Sequence, residues 1–389
     1  MVYLNIMSKK HLTDFADLKV AIVYDRVVKF GGAERILLAL KEIWPLAPLY
    51  TANYDPDSAN WAKNFRVVDS FLKNLPFTKI IPELLPLVTP YAFENFSFSG
   101  FDIVISLTSQ DAKCIITPPQ TLHVCYNLTP TRYLWSGYPE YYRQPSAGIF
   151  NPAARFIMKM VFPYLRQWDK ISSVRPDYYL AISKTVKKRI LKYYGQISHL
   201  IYPPVDTDTF VLPEKPVLLN YFLIVSRLVS YKRLDYAIKA FNRLPFKLKI
   251  IGSGIDKARL KRMAGKNIEF ITGSLTDKKL CWYYQNCLGL IFPGEEDFGL
   301  TPLEAQACGR PVIAFKAGGT TETVIDRQTG LFYSRKNEKA LTNSVFAFLK
   351  HRFNSLTCRN NSLRFSKKSF MVNFTEIINK YYLQYTLRY

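Results

Sequence analysis

Histidine is scarce in this 389-residue chain: His11, His123, His199 and His351 are all there are, and no two sit at metal-ligand spacing. That argues against a zinc site, which needs three or four clustered nitrogen and sulfur ligands. The six cysteines, Cys114, Cys125, Cys281, Cys287, Cys308 and Cys358, form no C-x-x-C pair. Free thiols in a reducing compartment are therefore expected. No apolar run approaches the ~20 residues that cross a bilayer. The opening stretch, MVYLNIMSKKHLTDFADLK, lacks the charged-then-apolar order of a secretion signal. A cytoplasmic location is expected, with any membrane contact peripheral. Acids are few as well: 30 Asp and Glu against 53 Lys and Arg give a formal net charge of +23. Such a balance implies an anionic partner, or else a lysine-rich composition without further meaning. The lysines are scattered in pairs (Lys187 and Lys188, Lys278 and Lys279, Lys367 and Lys368). No nucleic-acid motif accompanies them, so nucleic acid is not an expected partner.

What is present is alternation. The length exceeds one typical core, which gives two domains as the expectation. Apolar β-rich runs alternate with amphipathic stretches, the pattern of an α/β protein with parallel sheets. Strands are predicted at 19–24, 102–106, 122–127 and 177–183, then at 219–227, 246–252, 267–273, 288–294, 311–315 and 329–333. Between the two series lies IYPPVDTDTFVLPEKP, residues 201–216, with four prolines; it reads as an extended linker. The predicted organisation is an N-terminal domain over 1–205, a linker over 206–217, a second domain over 218–368, and a tail helix over 369–389 that packs back on the first domain. Two doubly wound Rossmann-like domains would face a cleft, with ligands at the carboxyl ends of the strands.

The run GEEDFGL, residues 294–300, lies where an apolar strand ends and a helix begins. Helix N-termini expose unpaired N–H groups and hold anions. Gly299 would let the backbone approach a ligand closely. Glu296 would project from the loop, and Glu304 would sit one to two turns into the helix. That spacing suits two different hydroxyl groups of one ligand; the plain alternative is capping acids and a solvated helix residue. Arg227 and Lys232, in IVSRLVSYKR, follow the first strand of the second domain. A planar fork and a point charge both suit a diphosphate; a solvated loop pair is the alternative. Gly31-Gly32 opens the helix after the first strand and is not a G-x-G-x-x-G fingerprint. Glu34 reads as a first-turn helix acid, and Asp277 reads equally as a helix cap. Asp206-Thr207-Asp208 invites a metal reading, but its proline-rich setting favours a turn. The stretch 151–168, NPAARFIMKMVFPYLRQW, could rest on an anionic leaflet or pack as an ordinary helix.

Taken together, EDFGLTPLE followed by AQACGRPVIA and GGTTETV resembles the Glu-x7-Glu signature of glycosyltransferase family 4. The resemblance extends through VAIVYDRVVKFGGAER, HVCYNLTPTRYLW, YYLAISKTVKKRILKYYG, IYPPVDTDTF and IVSRLVSYKRLDYAIKAF, and so over nearly the whole chain. FPGEEDFG and PPVDTDTF resemble the mannosyltransferase-like branch that builds bacterial surface polysaccharides. The resemblance implies a GT-B fold and a retaining, metal-independent transfer from a nucleotide-diphosphate sugar, with GDP-mannose the first choice. No cofactor is implied; the acceptor would be a glycan or lipid-linked saccharide. Arg227 and Lys232 would neutralise the departing diphosphate, Glu296 would hold sugar hydroxyls and Glu304 the ribose. Phe298, Gly299 and Leu300 would offer amides to the phosphates. Gly31, Gly32 and Gly252 would border the donor, Leu275 and Asp277 would meet its base, and Arg132 and Tyr133 would line the acceptor side. The acceptor would attack from the face the diphosphate leaves, the leaving phosphate would take its proton, and domain closure would exclude water. Two positions depart from the family pattern: Leu128 stands where His is expected, and Ser136 where Asp is expected. A glycosidase, an epimerase and a degenerate nucleotide-sugar-binding subunit are the rival readings.

Overall fold

The computed structural model describes residues 18–74, 85–143, 151–215, 217, 219–273 and 275–388; the readings made on the opening segment fall outside them. The chain divides into two compact units. One comprises residues 18–182, 186–201 and 371–388, the other 183–185 and 202–370.

The first unit is built on seven parallel strands: β1 (Val20–Tyr24), β2 (Leu49–Thr51), β3 (Val67–Asp69), β4 (Ile103–Thr108), β5 (Leu122–Asn127), β6 (Tyr178–Ala181) and β7 (Ser198–Leu200). Their order is β3-β2-β1-β4-β5-β6-β7. Every residue of β1, β4 and β5 is buried, as expected of strands with helices on both faces. The sequence reading finds β1, β4, β5 and β6 but not β2, β3 and β7. Those three strands have three residues each and are too short to show a period. The helix Lys184–Tyr194 ends at Gly195, at φ +73°, a left-handed residue that stops the helix without a Cβ penalty.

The second unit has six parallel strands: β8 (Tyr221–Val225), β9 (Lys247–Ile251), β10 (Ile268–Ile271), β11 (Gly289–Phe292), β12 (Val312–Phe315) and β13 (Gly330–Tyr333). The order is β10-β9-β8-β11-β12-β13. The helix Leu234–Phe241 buries Leu234, Ala237, Ile238 and Phe241, one stripe at helical spacing laid on this sheet. Part of the segment read as a linker is instead packed into this unit. Phe210 is fully buried, edge-on to Tyr284 with centroids 5.6 Å apart. Arg359 donates to the carbonyls of Thr207 and Phe210, and Val205 N donates to Phe365 O at 2.8 Å. Prolines disfavour helix and make the stretch look extended; one aromatic side chain suffices to dock it.

The helix Lys367–Thr386 contributes to the first unit from residue 371 onward. Phe374 packs on Trp44 and Tyr126, Tyr381 stacks on Tyr178 at 3.9 Å, and the Tyr385 hydroxyl donates to Pro119 O at 2.6 Å. All six cysteines are unpaired and buried.

Inside the first unit lies a charged pair that composition alone does not reveal. Lys113 Nζ meets Asp169 Oδ1 at 2.6 Å, both side chains being almost fully buried. Asp169 also accepts from Thr131 Oγ1 at 2.7 Å and Trp135 Nε1 at 2.6 Å, and Lys113 donates to Gln110 O at 2.6 Å. Removing one member strands the other charge in the interior, at a cost of about 3–5 kcal/mol. Lys113→Ala should therefore lose about that much unfolding free energy in urea titrations. A loss below about 1 kcal/mol would place the pair in a solvated setting, against the burial described.

Candidate functional site

In each sheet the strand order reverses once, between β1 and β4 and between β8 and β11. At such a reversal the loops leaving two neighbouring strands diverge to opposite faces, which opens a crevice at their carboxyl ends. In the second unit those loops are Ser226–Arg233 after β8 and Pro293–Gly299 after β11. They carry Arg227, Lys232 and Glu296.

Lys232 and Glu296 form an ion pair, the lysine buried and the glutamate half-buried. Tyr231 lies between the two cations of its loop. Its hydroxyl accepts from Arg227 Nη2, and Lys232 Nζ stands 5.2 Å from its ring centroid. Backbone contacts hold the loops in place. Gly319 N donates to Glu296 O at 2.8 Å, and Glu296 and Gly318 form a parallel bridge. A Cβ on Gly319 would fall 2.2 Å from Phe298 Cα, so no other residue lets the loop after β12 lie this close. Gly252, at the end of β9, rests against Ser226 O in the Arg227 loop.

The helix Leu300–Ala307 starts from Gly299 at φ +92°, a conformation glycine adopts without strain. Phe298 is buried and stacks on Tyr202 with centroids 5.6 Å apart. Glu304 is not a solvated helix residue: it is buried, and its Oε2 accepts from the Tyr284 hydroxyl at 2.8 Å. Burial, then the charge of Glu304, push the Tyr284 phenol well above its ordinary range. Leu275 and Asp277 come after β10, the outermost strand beyond β9. Thr276, not Asp277, caps the helix there, its side chain accepting from Lys279 N; Asp277 is the first helical residue.

In the first unit, Gly31 is the residue before the helix Gly32–Ile43 and Gly32 its first member. Glu34 is buried and takes the Tyr24 hydroxyl at 2.7 Å. Arg132 and Tyr133 follow β5; Tyr133 packs edge-on to Phe162 and Tyr141. Leu128 is half-buried, and its N–H donates to Thr108 O. Asp206 Oδ1 accepts from Thr209 N at 3.0 Å, so the Asp-Thr-Asp run is a turn. Among the described residues no cluster of three or more His, Cys, Asp or Glu could hold a metal.

Besides Asp169, two further buried acids escaped the sequence reading. Asp25, directly after β1, accepts from Thr108 Oγ1, Ser109 N, Asp111 N and Ala112 N at 2.7–3.0 Å. It ties the loops after β1 and β4 together at the reversal. An acid ending the apolar run VAIVY was the available signal. Asp111 is the second: buried, with Oδ2 lacking a partner among the described residues. Burial pushes its carboxyl up to about 7; Lys113 opposes the rise, Asp25 and Asp169 add to it, and Arg26 opposes it.

The folded state therefore holds this proton more tightly than the unfolded chain does. The group's contribution to stability is fully present below the ordinary carboxylate range and is lost as pH rises through about 7. Asp111→Asn should gain on the wild type between pH 4 and pH 8, read as a growing difference in urea midpoint. A difference constant with pH would contradict the shift.

Residues 211–365 match the family described as glycosyl transferases group 1. An alpha-1,3/1,6-mannosyltransferase of Dictyostelium discoideum is 34% identical over 250 residues, 51% of this chain and 59% of that protein. One of Candida glabrata is 24% identical over 84% of this chain and 81% of that protein. The chain spans 58%, 59% and 63% of the length of three curated relatives that it matches. Among solved structures, a sucrose-phosphate synthase from Thermosynechococcus elongatus superposes with a TM-score of 0.69 at 17% identity, covering 94% of this chain and all of the other. The fold is that of the GT-B glycosyltransferases.

Proposed function

We propose, from the premise that residues 211–365 belong to the group 1 glycosyl transferases, that the protein is a retaining transferase acting from a nucleotide-diphosphate sugar. The observation that carries this reading is the gathering of Arg227, Lys232 and Glu296 at the strand reversal of the second unit, beside a helix N-terminus. Cations there suit the charge that grows on a departing diphosphate, the costly event of glycosyl transfer. The bond from the anomeric carbon to the phosphate oxygen breaks, and the acceptor oxygen bonds that carbon from the same face. The acceptor proton passes to the leaving phosphate, so no side-chain base and no metal is assigned.

Glu296 is assigned to sugar hydroxyls, a role that requires its bond with Lys232 to rearrange. Glu304 is assigned to the ribose, with Tyr284 fixing its orientation. The two mannosyltransferase relatives favour mannose as the sugar, hence GDP-mannose as the first donor to test. A glycan or lipid-linked saccharide is the proposed acceptor, in the building of cell-surface polysaccharide. Leu128 supports a second reading, a subunit that binds the nucleotide sugar without transferring it. An epimerase is the third.

Incubation with radiolabelled GDP-mannose, UDP-glucose and UDP-N-acetylglucosamine separates these. Label moving to an acceptor supports transfer, binding without turnover supports the subunit, and an inverted sugar released without acceptor supports the epimerase. Glu296→Ala and Lys232→Ala should each cut transfer by about 10²–10³-fold while the circular dichroism stays unchanged. Normal activity in both variants would displace the site.

The helix Asn151–Ser172 supports a peripheral membrane contact, which we include in the proposal. Phe156 and Met160 are 68% and 66% exposed, with Ile157 and Tyr164 also bare and Lys159 and Lys170 nearby. Apolar residues flanked by cations suit an anionic leaflet. Phe156→Glu/Met160→Glu should abolish sedimentation with phosphatidylglycerol vesicles; unchanged sedimentation would move the contact elsewhere.

A further inference from the structure

A second basic cavity lies in the second unit, beyond the strand reversal. It has a volume of about 520 Å³ and sits where β12 and β13 end. Its cations come from three separate elements. Lys316 follows β12, Arg335 follows β13, and Lys339 stands in the first turn of the helix Glu338–Leu349. Asp326 is the single acid of the lining, and Ser334, Asn337, Asn343 and Ser344 are its uncharged polar members besides Tyr333.

Overall basicity does not account for this arrangement. The residue next to Arg335, Lys336, has an ion pair with Glu295 at 3.2 Å and stands over the Phe315 ring. Among the described residues, Lys316, Arg335 and Lys339 have no such carboxylate partner. Lys316 Nζ instead stands 6.0 Å from the Phe332 ring centroid. The helix beside them runs for 12 residues from its cap at Asn337, so its positive end adds to the same field. All three side chains are exposed at the rim of the cavity, where water screens their mutual repulsion and a multiply charged anion would meet all of them at once. A guanidinium fork with two ammonium groups matches a group that offers several charged oxygens.

We propose that this cavity binds a phosphate monoester or diphosphate group, at a site separate from the Lys232–Glu296 pair. Arg335 takes two oxygens through its fork, and Lys316 and Lys339 neutralise the remainder. Asn343 and Ser344 offer hydrogen bonds to the same group, and Asp326 to a hydroxyl on the ligand that bears it. The inference stands whether or not the chain transfers sugar.

The test uses inorganic pyrophosphate, titrated by calorimetry into the full chain carrying Arg227→Ala and Lys232→Ala, which silences the other basic loop. Saturable binding is expected. Adding Lys316→Ala/Arg335→Ala/Lys339→Ala should weaken it by at least about tenfold, with an unchanged circular dichroism spectrum. Lys339→Arg, which keeps the charge, should retain it. No binding, or binding untouched by the triple substitution, would overturn the proposal. The source of the group is read with phosphatidic-acid vesicles and a chain that also carries Phe156→Glu/Met160→Glu. Vesicle binding displaced by pyrophosphate identifies a lipid headgroup. Pyrophosphate binding without vesicle binding identifies a soluble phosphate ligand.

Discussion

The organising constraint is the parallel alignment of the strands. Every strand in a parallel sheet points the same way, so all the carboxyl ends fall on one edge, and at one place the order reverses. In the second unit that geometry places the starts of the loops after β8 and β11 on neighbouring strands at one crevice, where Lys232 meets Glu296. Burying either charge alone would be costly; each stands against the other because the loops leave side by side. Gly319 and Glu296 then fix the loop after β12 to the same point. The charged chemistry is thus a by-product of how the sheet is wound.

Much of this was legible in the sequence. The apolar runs at β8, β9, β11 and β12 mark strands without ambiguity, and the acids and cations directly after them mark their ends. The fate of Glu304 was not legible. Tyr284, 20 positions earlier and on another helix, decides its burial. The docking of Phe210 was hidden in the same way, because prolines around it advertise extension while the pocket that receives it is made by distant residues. Thr276 and Asp277 are adjacent capping candidates, and only backbone geometry chooses between them. The three-residue strands β2, β3 and β7 are shorter than any period could reveal.

The first unit shows how far a polar network can extend unseen. Asp25 gathers amides from the loop after β4. Asp169 gathers Lys113, Thr131 and Trp135, and so anchors the stretch that runs from Leu128 to Trp135. A leucine in place of histidine at its start removes a hydrogen-bonding group but leaves that anchor in place. The backbone course of the loop and the side chain of residue 128 are therefore separable, since Leu128 enters the network through its amide, which donates to Thr108 O.

The placement of Phe374, Tyr381 and Tyr385 has a consequence for the order in which the protein is made. Translation delivers the amino-terminal strands first, yet the ring contacts of Trp44 and Tyr126 with Phe374, and of Tyr178 with Tyr381, form only after residues 374–385 leave the ribosome. The second unit, encoded almost entirely in one block, has all its strands earlier than that. The unit begun first is thus the one completed last, its sheet made early and the helical residues that pack its aromatic rings made after the whole second unit.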